Sequence, residues 1–167
     1  MLQVYSIIPL ALFFLIPLVF RFWHYRSANY YFRFLNLASG QISDEKYIES
    51  FGGRTKTNYE IAGIIDHMTK DTDKVFVWED SAQVYAISNR LPPFKYITGY
   101  HINDFSSVES AVSALTQDMP KAVIIFSDSK TPPLLTRFVR TNYILYKETK
   151  EYQIWKLGGE YSRFVIY

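Results

Sequence analysis

Residues 73–90, DKVFVWEDSAQVYAISNR, contain an apolar run, an acidic turn and a second segment with one apolar side. The run 74–78 is rich in β-branched and aromatic residues, which favours a strand buried on both faces. Glu79, Asp80 and Ser81 follow it, and polar residues of this kind often cap helices. A strand that leads into a helix through a short turn is the first half of a βαβ unit.

The same alternation continues through residues 57–157, where segments with helical apolar spacing are separated by short apolar runs. AVIIF at 122–126 is typical of a central parallel strand. We therefore predict an α/β fold with a mostly parallel, Rossmann-like sheet, helices on both faces and a C-terminal hairpin. Helices are predicted at 58–70 and 81–89 and after Ser106 and Thr131, strands at 74–78, 95–98, 122–126, 142–147 and 152–157, and a loop at 99–104.

Three serine or threonine positions also have the spacing of helix caps. Thr57 with Glu60 and Ser106 with Glu109 have capping-box spacing. Ser43 is expected to cap a short helix that ends at the Gly52–Gly53 pair. These caps predict where three helices begin.

The N-terminal segment 4–20 contains no charged side chain. Extended to 2–23, it is long enough as a helix to cross a hydrocarbon core of about 30 Å. A cleaved signal peptide is less favoured, because a basic n-region and a small-residue cleavage site are missing. The basic and aromatic residues that follow the segment are typical of a membrane interface. That interface is predicted to consist of Arg21, Trp23, Tyr25, Arg26, Tyr30 and Tyr31.

The predicted organisation has four parts: a transmembrane helix at 1–23, a juxtamembrane aromatic linker at 24–56, an α/β domain at 57–157 and a tail at 158–167. By the positive-inside rule alone, the arginines after the helix favour a cytoplasmic domain. The absence of cysteine excludes disulfides and cysteine-based zinc sites. A formal net charge of +2, dispersed along the chain, does not indicate a nucleic-acid partner.

No complete catalytic or cofactor motif occurs in the sequence. The turn after Trp78 reads EDSAQ instead of a glycine-rich loop, and its carboxylates would repel a phosphate. Gly52–Gly53–Arg54 is interpreted as part of a linker. There is no G-x-S-x-G, and the three histidines lack metal-ligand spacing. No cofactor and no metal are therefore predicted.

The carboxyl ends of parallel strands are where α/β sheets bind ligands, and polar and aromatic residues follow the predicted strands. Carboxylates and aromatic rings together could hold a sugar by hydrogen bonding and stacking. Helix capping is an alternative explanation for the same residues, and both explanations stay open here. The candidate ligand rim consists of Glu79, Asp80, Ser81, Tyr100, His101, Asp104, Ser127 and Asp128.

With these elements placed, the chain resembles the C-terminal part of a bacterial multi-spanning glycosyltransferase of the dolichyl-phosphate-mannose-protein mannosyltransferase-like group. The resemblance runs from a last membrane helix through YYFRFLNLASGQISDEKYIESFGG at 30–53 and NYEIAGIIDHMTK at 58–70. It continues through DKVFVWEDSAQVYAISNRLPPFKYITGYHI at 73–102 and MPKAVIIFSD at 119–128, and ends with the predicted hairpin.

The resemblance implies a non-catalytic, extracytoplasmic terminal domain of an enzyme that uses a polyprenyl-phosphate-linked sugar, with a role in acceptor or donor binding. The catalytic residues would lie outside this chain, so whether the chain itself is an enzyme stays open. Met1, directly before the helix, suggests a fragment of a longer gene. Expected partners are membrane lipid, the remainder of the multi-spanning protein, and a lipid-linked sugar or glycan acceptor. The alternative function is a free-standing, membrane-anchored binding or interaction module.

Overall fold

The structure is a computed structural model that describes residues 2–20 and 27–158, without the side chains of residues 2–6 and 28. The chain divides into two compact units, Met1–Phe51 and Gly52–Tyr167. The first unit contains helices α1 (Leu2–Val19), α2 (Ser27–Ala38) and α3 (Asp44–Glu49). The second contains α4 (Thr55–Met68), β1 (Val75–Trp78), α5 (Gln83–Ser88), α6 (Gly99–Phe105), α7 (Val108–Asp118), β2 (Ala122–Phe126), α8 (Pro133–Asn142), β3 (Tyr143–Glu148) and β4 (Tyr152–Leu157).

Helix α1 is shorter than the helix predicted over 1–23, because it ends at Val19. Its 18 residues span about 27 Å, against about 30 Å for a hydrocarbon core. In residues 2–20 and 27–158, no helix has the length and apolarity needed to cross a membrane. The predicted transmembrane helix is therefore wrong, and so is the membrane location that depended on it.

The residues assigned to a membrane interface divide into two groups. Tyr30 and Tyr31 are exposed on α2, where the Tyr30 ring stacks on Phe51 with centroids 5.9 Å apart. The other four lie outside the described residues: Arg21, Trp23, Tyr25 and Arg26.

The sheet of the second unit has four strands in the order β1-β2-β4-β3. Only β1 and β2 are parallel, whereas β4 is antiparallel to both β2 and β3. The prediction of a mostly parallel, Rossmann-like sheet is therefore wrong, and the fold is mixed α/β. Tyr152–Leu157 forms a hairpin with β3, yet it occupies an inner position beside β2.

The sheet order differs from the prediction because no third parallel strand forms in the part of the chain that the structure describes. Residues 95–98, predicted to be a strand, follow Pro92 and Pro93 and make an irregular connection. Tyr96 and Ile97 pack against opposite faces of the sheet. Residues 99–104, predicted to be a loop, belong to α6. The place beside β2 is therefore available to β4.

Helices cover both faces of this sheet. Every residue of β1 and β2 is buried, as expected for strands with helices above and below. On one face Ile61 and Ile65 of α4 and Val84 of α5 pack against the sheet. On the other face Ile102 of α6, Leu115 of α7 and Leu135 of α8 do so. The core is thus two apolar layers separated by the sheet.

Neither of the two predicted capping boxes caps its helix. Thr57 Oγ1 donates to Glu151 over 2.5 Å, and Glu60 accepts hydrogen bonds from Tyr152 (2.6 Å) and Lys147 (2.8 Å). These side chains attach α4 to the β3–β4 hairpin, while α4 begins after Arg54 without a side-chain cap. The α7 helix is capped by Ser107, whose hydroxyl accepts from the Ser110 amide.

The predicted cap at Ser43 forms. Its hydroxyl accepts a hydrogen bond from the Lys46 amide over 3.3 Å at the start of α3. Residues 50–54, which contain the Gly52–Gly53 pair, separate α3 and α4. This local signal was readable because cap and helix are neighbours in the sequence.

The outer edge of β1 is completed by residues that follow it in the chain. The Val77 amide donates to the Tyr85 hydroxyl over 2.8 Å, and the Val75 amide donates to the Leu91 carbonyl over 3.1 Å. Burial raises the pKa of Tyr85 well above its usual value, so its phenol stays protonated at physiological pH. These bonds satisfy amides that no neighbouring strand reaches, and they attach α5 to β1.

A buried arginine joins the ends of α4 and α5. The Arg90 guanidinium donates to Thr69 Oγ1 over 3.0 Å and to the Ser88 carbonyl over 2.7 Å. Asp66 and Asp71 lie 3.4 Å and 3.2 Å from the same guanidinium. The guanidinium thus satisfies the carbonyl of Ser88 at the end of α5 and that of Thr69 just after α4, and so links the two helix ends.

Replacement of Tyr85 by phenylalanine tests the importance of the β1 edge bond. Tyr85→Phe leaves the buried Val77 amide without an acceptor, so we expect the free energy of unfolding to fall by about 1–3 kcal/mol. Urea denaturation of the full chain measures this change. Tyr59→Phe, which alters an exposed ring on α4, is the matched control. An equal, small effect of both substitutions would show that the Tyr85 hydroxyl is dispensable.

Candidate functional site

The turn between β1 and α5 departs from ordinary backbone geometry. Glu79 has φ 118°, a left-handed conformation that a residue with a Cβ rarely adopts. The N-cap of α5 is Ala82, and no side chain caps this helix. Helix capping therefore does not explain Ser81, although the sequence made capping plausible.

A glycine turn before α4 faces this segment. Gly52 and Gly53 have φ values of 67° and 55°, which glycine adopts without the strain imposed by a Cβ. Arg54 and Thr55 follow and open the first turn of α4. The pair predicted to belong to a linker is thus one wall of a cleft.

The cleft has a volume of about 560 Å³ and lies at the carboxyl end of β1. Its walls are the glycine turn with the first helical turn of α4, and the β1–α5 connection. The lining residues are Gly52, Gly53, Arg54, Thr55, Asn58, Glu79, Asp80, Ser81, Ala82 and Gln83.

Two residues of the lining each carry a buried side-chain oxygen that has no hydrogen-bond partner among the described residues. Asn58 is 3% exposed and Ser81 is 2% exposed. Asn58 Nδ2 donates to Gln83 Oε1 over 2.9 Å, which orients the amide and leaves Oδ1 unpaired. Ser81 Oγ is also unpaired. Each unpaired buried polar group costs about 1–3 kcal/mol, so two in one cleft require an explanation.

Acidic groups determine the electrostatics of the cleft. Burial raises the pKa of Glu79, and repulsion from Asp80 raises it further. Arg54 opposes this shift only in part, because its guanidinium is paired with Asp128 over 2.5 Å and lies 4.6 Å above the Phe126 ring. The same hydrogen bond lowers the pKa of Asp128. The protein thus stabilises the Asp128 carboxylate and disfavours the charge on Glu79.

The structure brings together part of the predicted ligand rim. Three members line the cleft, and Asp128 reaches it through Arg54. Ser127 donates its amide to the Glu151 carbonyl at the end of β2. The lining members are Glu79, Asp80 and Ser81.

The remaining rim residues lie on α6 and do not line the cleft. The Tyr100 and His101 rings pack 4.1 Å apart, and Asp104 is exposed on the same helix. Gly99, which begins α6, lies next to the β1–α5 turn, since a Cβ built on it would be 3.7 Å from Glu79 Cα. Sugar binding by the whole rim stays a prediction.

Sequence reasoning missed the α4 side of the cleft. Asn58 was assigned only to an amphipathic helix, and Gln83 to the start of another. The two glycines were a usable signal, because adjacent glycines before a helix often mark a turn with positive φ. Nothing local indicated that this turn would face the end of β1.

The chemistry available in the cleft is hydrogen bonding, with Arg54, Thr55 and Gln83 as side-chain donors. The lining also offers the Asn58 amide oxygen, the Ser81 hydroxyl and the carboxylates of Glu79 and Asp80. It includes no histidine, cysteine or lysine. Within residues 2–20 and 27–158, no group of three or more His, Cys, Asp or Glu side chains could hold a metal ion.

A family model described as "Putative competence-induced protein Ccs4 C-terminal domain" matches residues 55–158, which is more than half of the chain. The chain belongs to this family. No curated protein and no solved structure matches it. The Ccs4 C-terminal domain thus begins at the first residue of α4 and ends just after β4.

This membership corrects the resemblance to a membrane glycosyltransferase. The matching family is the Ccs4 C-terminal domain, and no membrane-crossing helix is present among the described residues. The predicted function as a glycosyltransferase terminal domain is therefore wrong, as is the membrane-anchored alternative. The partners inferred from that resemblance, from membrane lipid to a lipid-linked sugar, stay predictions.

The raised pKa of Glu79 predicts a pH-dependent effect of removing its charge. A carboxyl whose pKa is higher in the folded state destabilises the fold when ionised, and this penalty disappears below its pKa in the unfolded chain, which is about 4.3. We expect Glu79→Gln to increase the free energy of unfolding at pH 7 and to have little effect at pH 3.5. Urea denaturation at both pH values measures the difference.

Asp104→Asn, which removes an exposed carboxylate from α6, is the control for this experiment. It should not reproduce the pH-dependent gain. A loss of stability in Glu79→Gln at pH 7 would contradict the unfavourable environment described for this carboxylate.

Proposed function

We propose that the Ccs4 C-terminal domain of this chain binds a small polar molecule in the cleft between the first turn of α4 and the β1–α5 connection. The supporting observation is the pair of buried, unpaired oxygens, Asn58 Oδ1 and Ser81 Oγ, in its lining. Oxygens that lack protein partners can be satisfied by a ligand.

The geometry supports binding more than catalysis. The lining contains two hydroxyl groups, those of Thr55 and Ser81. The lining has no histidine or cysteine to pair with them as base or nucleophile. The family description refers to competence induction and names no ligand, so the chemistry of the cleft defines the ligand class.

The first experiment is a screen of the isotope-labelled full chain by ¹⁵N NMR. The probes are small sugars, amino acids, amines and nucleosides, each added separately. We expect at least one class to shift the amide signals of residues 52–58 and 79–83 in a saturable way. If none of these classes shifts them, or if all binders act elsewhere, the proposed function is wrong.

A matched pair of serine substitutions tests the role of the unpaired hydroxyl. Ser81→Ala removes a buried oxygen that makes no protein hydrogen bond, so the free energy of unfolding of the ligand-free chain should rise by about 1–3 kcal/mol. Affinity for the probe found in the screen should fall about fivefold, which corresponds to one hydrogen bond.

Ser88→Ala is the control for this substitution. Ser88 is equally buried, but its hydroxyl donates to the Val84 carbonyl over 2.7 Å and it does not line the cleft. Its replacement should leave probe affinity unchanged. Equal affinity of the Ser81→Ala variant and the unmodified chain would exclude the Ser81 hydroxyl from ligand binding.

A further inference from the structure

The charges in the cleft define the class of ligand more narrowly than the hydrogen-bonding groups of the cleft do. Glu79 and Asp80 are adjacent in the lining, and neither forms an ion pair within the part of the chain that the structure describes. The cationic side chain in the lining, Arg54, is paired with Asp128. Two carboxylates therefore share one side of the cleft without a cation of their own.

The formal charges of the lining show whether the cleft favours a cationic or an anionic ligand. The Arg54–Asp128 pair sums to zero, so Glu79 and Asp80 contribute two negative charges. The first turn of α4 on the opposite wall contributes only about half a positive charge. The cleft is thus net negative, and its two unpaired buried oxygens add further acceptors.

We infer that the ligand of this cleft carries a protonated amine, which the carboxylates of Glu79 and Asp80 hold and from which Asn58 Oδ1 accepts a hydrogen bond. This inference rests on the proposed ligand-binding function and specifies its ligand class. An ammonium group has three donors and no acceptor, which matches the two carboxylates and the Asn58 and Ser81 oxygens of the lining.

The environment of Glu79 is consistent with this assignment. Desolvation and the neighbouring Asp80 both disfavour its charge, and a bound cation would offset both effects. A neutral polyol would satisfy the Asn58 and Ser81 oxygens and would leave the two carboxylates repelling each other. The amine is therefore preferred over the polyol.

The decisive experiment compares two probes of equal length on the full chain, 1,4-diaminobutane and 1,4-butanediol, with glucose as a second neutral probe. Amide shifts in ¹⁵N NMR give both the site and the affinity. We expect the diamine to bind at residues 52–58 and 79–83 at least about tenfold more tightly than the diol, as for a charge-assisted hydrogen bond.

Charge-removing variants then assign the site. Glu79→Gln and Asp80→Asn should each weaken diamine binding about tenfold, whereas Asp104→Asn on α6 should not. Thermal unfolding verifies that each variant is folded, and the Ser81→Ala variant gives a second, uncharged change in the same cleft. Diamine binding that is insensitive to both charge-removing variants would overturn the inference.

The outcomes separate the ligand class from the function. If glucose or the diol binds the cleft as tightly as the diamine, the amine assignment is wrong and the ligand-binding function stands. If only another class of probe from the screen shifts these amide signals, the amine assignment is likewise wrong and the ligand-binding function stands. If no probe shifts them, both proposals are wrong.

Discussion

The hydrogen bond from the Val77 amide to the Tyr85 hydroxyl determines how the β1–α5 unit is built. β1 is an edge strand that is buried on both faces, so its outer amides would otherwise lose their water partners without replacement. The Tyr85 side chain and the Leu91 carbonyl supply those partners from the chain that follows. The connection from β1 to α5 is short, since it comprises residues 79–82. Within it Glu79 has a positive φ and Ser81 is buried, and both residues line the cleft.

The opposite wall depends on how α4 is held at its two ends. Near its N-terminus, Thr57 and Glu60 bond to the β3–β4 hairpin, and beyond its C-terminus Thr69 receives the buried Arg90 guanidinium. A helix fixed at both ends cannot easily shift along the sheet. The first turn of α4 and the β1–α5 connection therefore keep a defined separation, which a binding site needs to hold its groups in a fixed geometry. The stability of the core and the shape of the cleft come from the same few polar contacts.

Local signals predicted the elements of the second unit better than their arrangement. The apolar run at 122–126 and the helical spacing after Asn58 depend on neighbours in sequence, and the corresponding β2 and α4 formed. The position of β4 beside β2 depends on the failure of residues 95–98 to form a strand, which no local pattern shows. Thr57 and Glu60 had the spacing of a cap, but their partners are 94 and 92 residues away. The same distinction applies to the candidate site. Its residues in the β1–α5 connection could be predicted from the sequence because they follow a strand. Asn58 and the glycine turn could not, because only the tertiary fold brings them to the cleft.

The distribution of unpaired buried oxygens distinguishes a ligand site from loosely packed polar residues. Ser88, as deeply buried as Ser81, donates its hydroxyl to a helix carbonyl, so this fold readily satisfies a buried serine. Among the described residues the unpaired side-chain oxygens belong to Asn58, Ser81 and Thr98. The first two line the cleft, and Thr98 precedes Gly99, which lies against Glu79 of the same turn. Imperfect packing would scatter such atoms through the core. Their concentration around one acidic turn is the observation that supports the proposed ligand site.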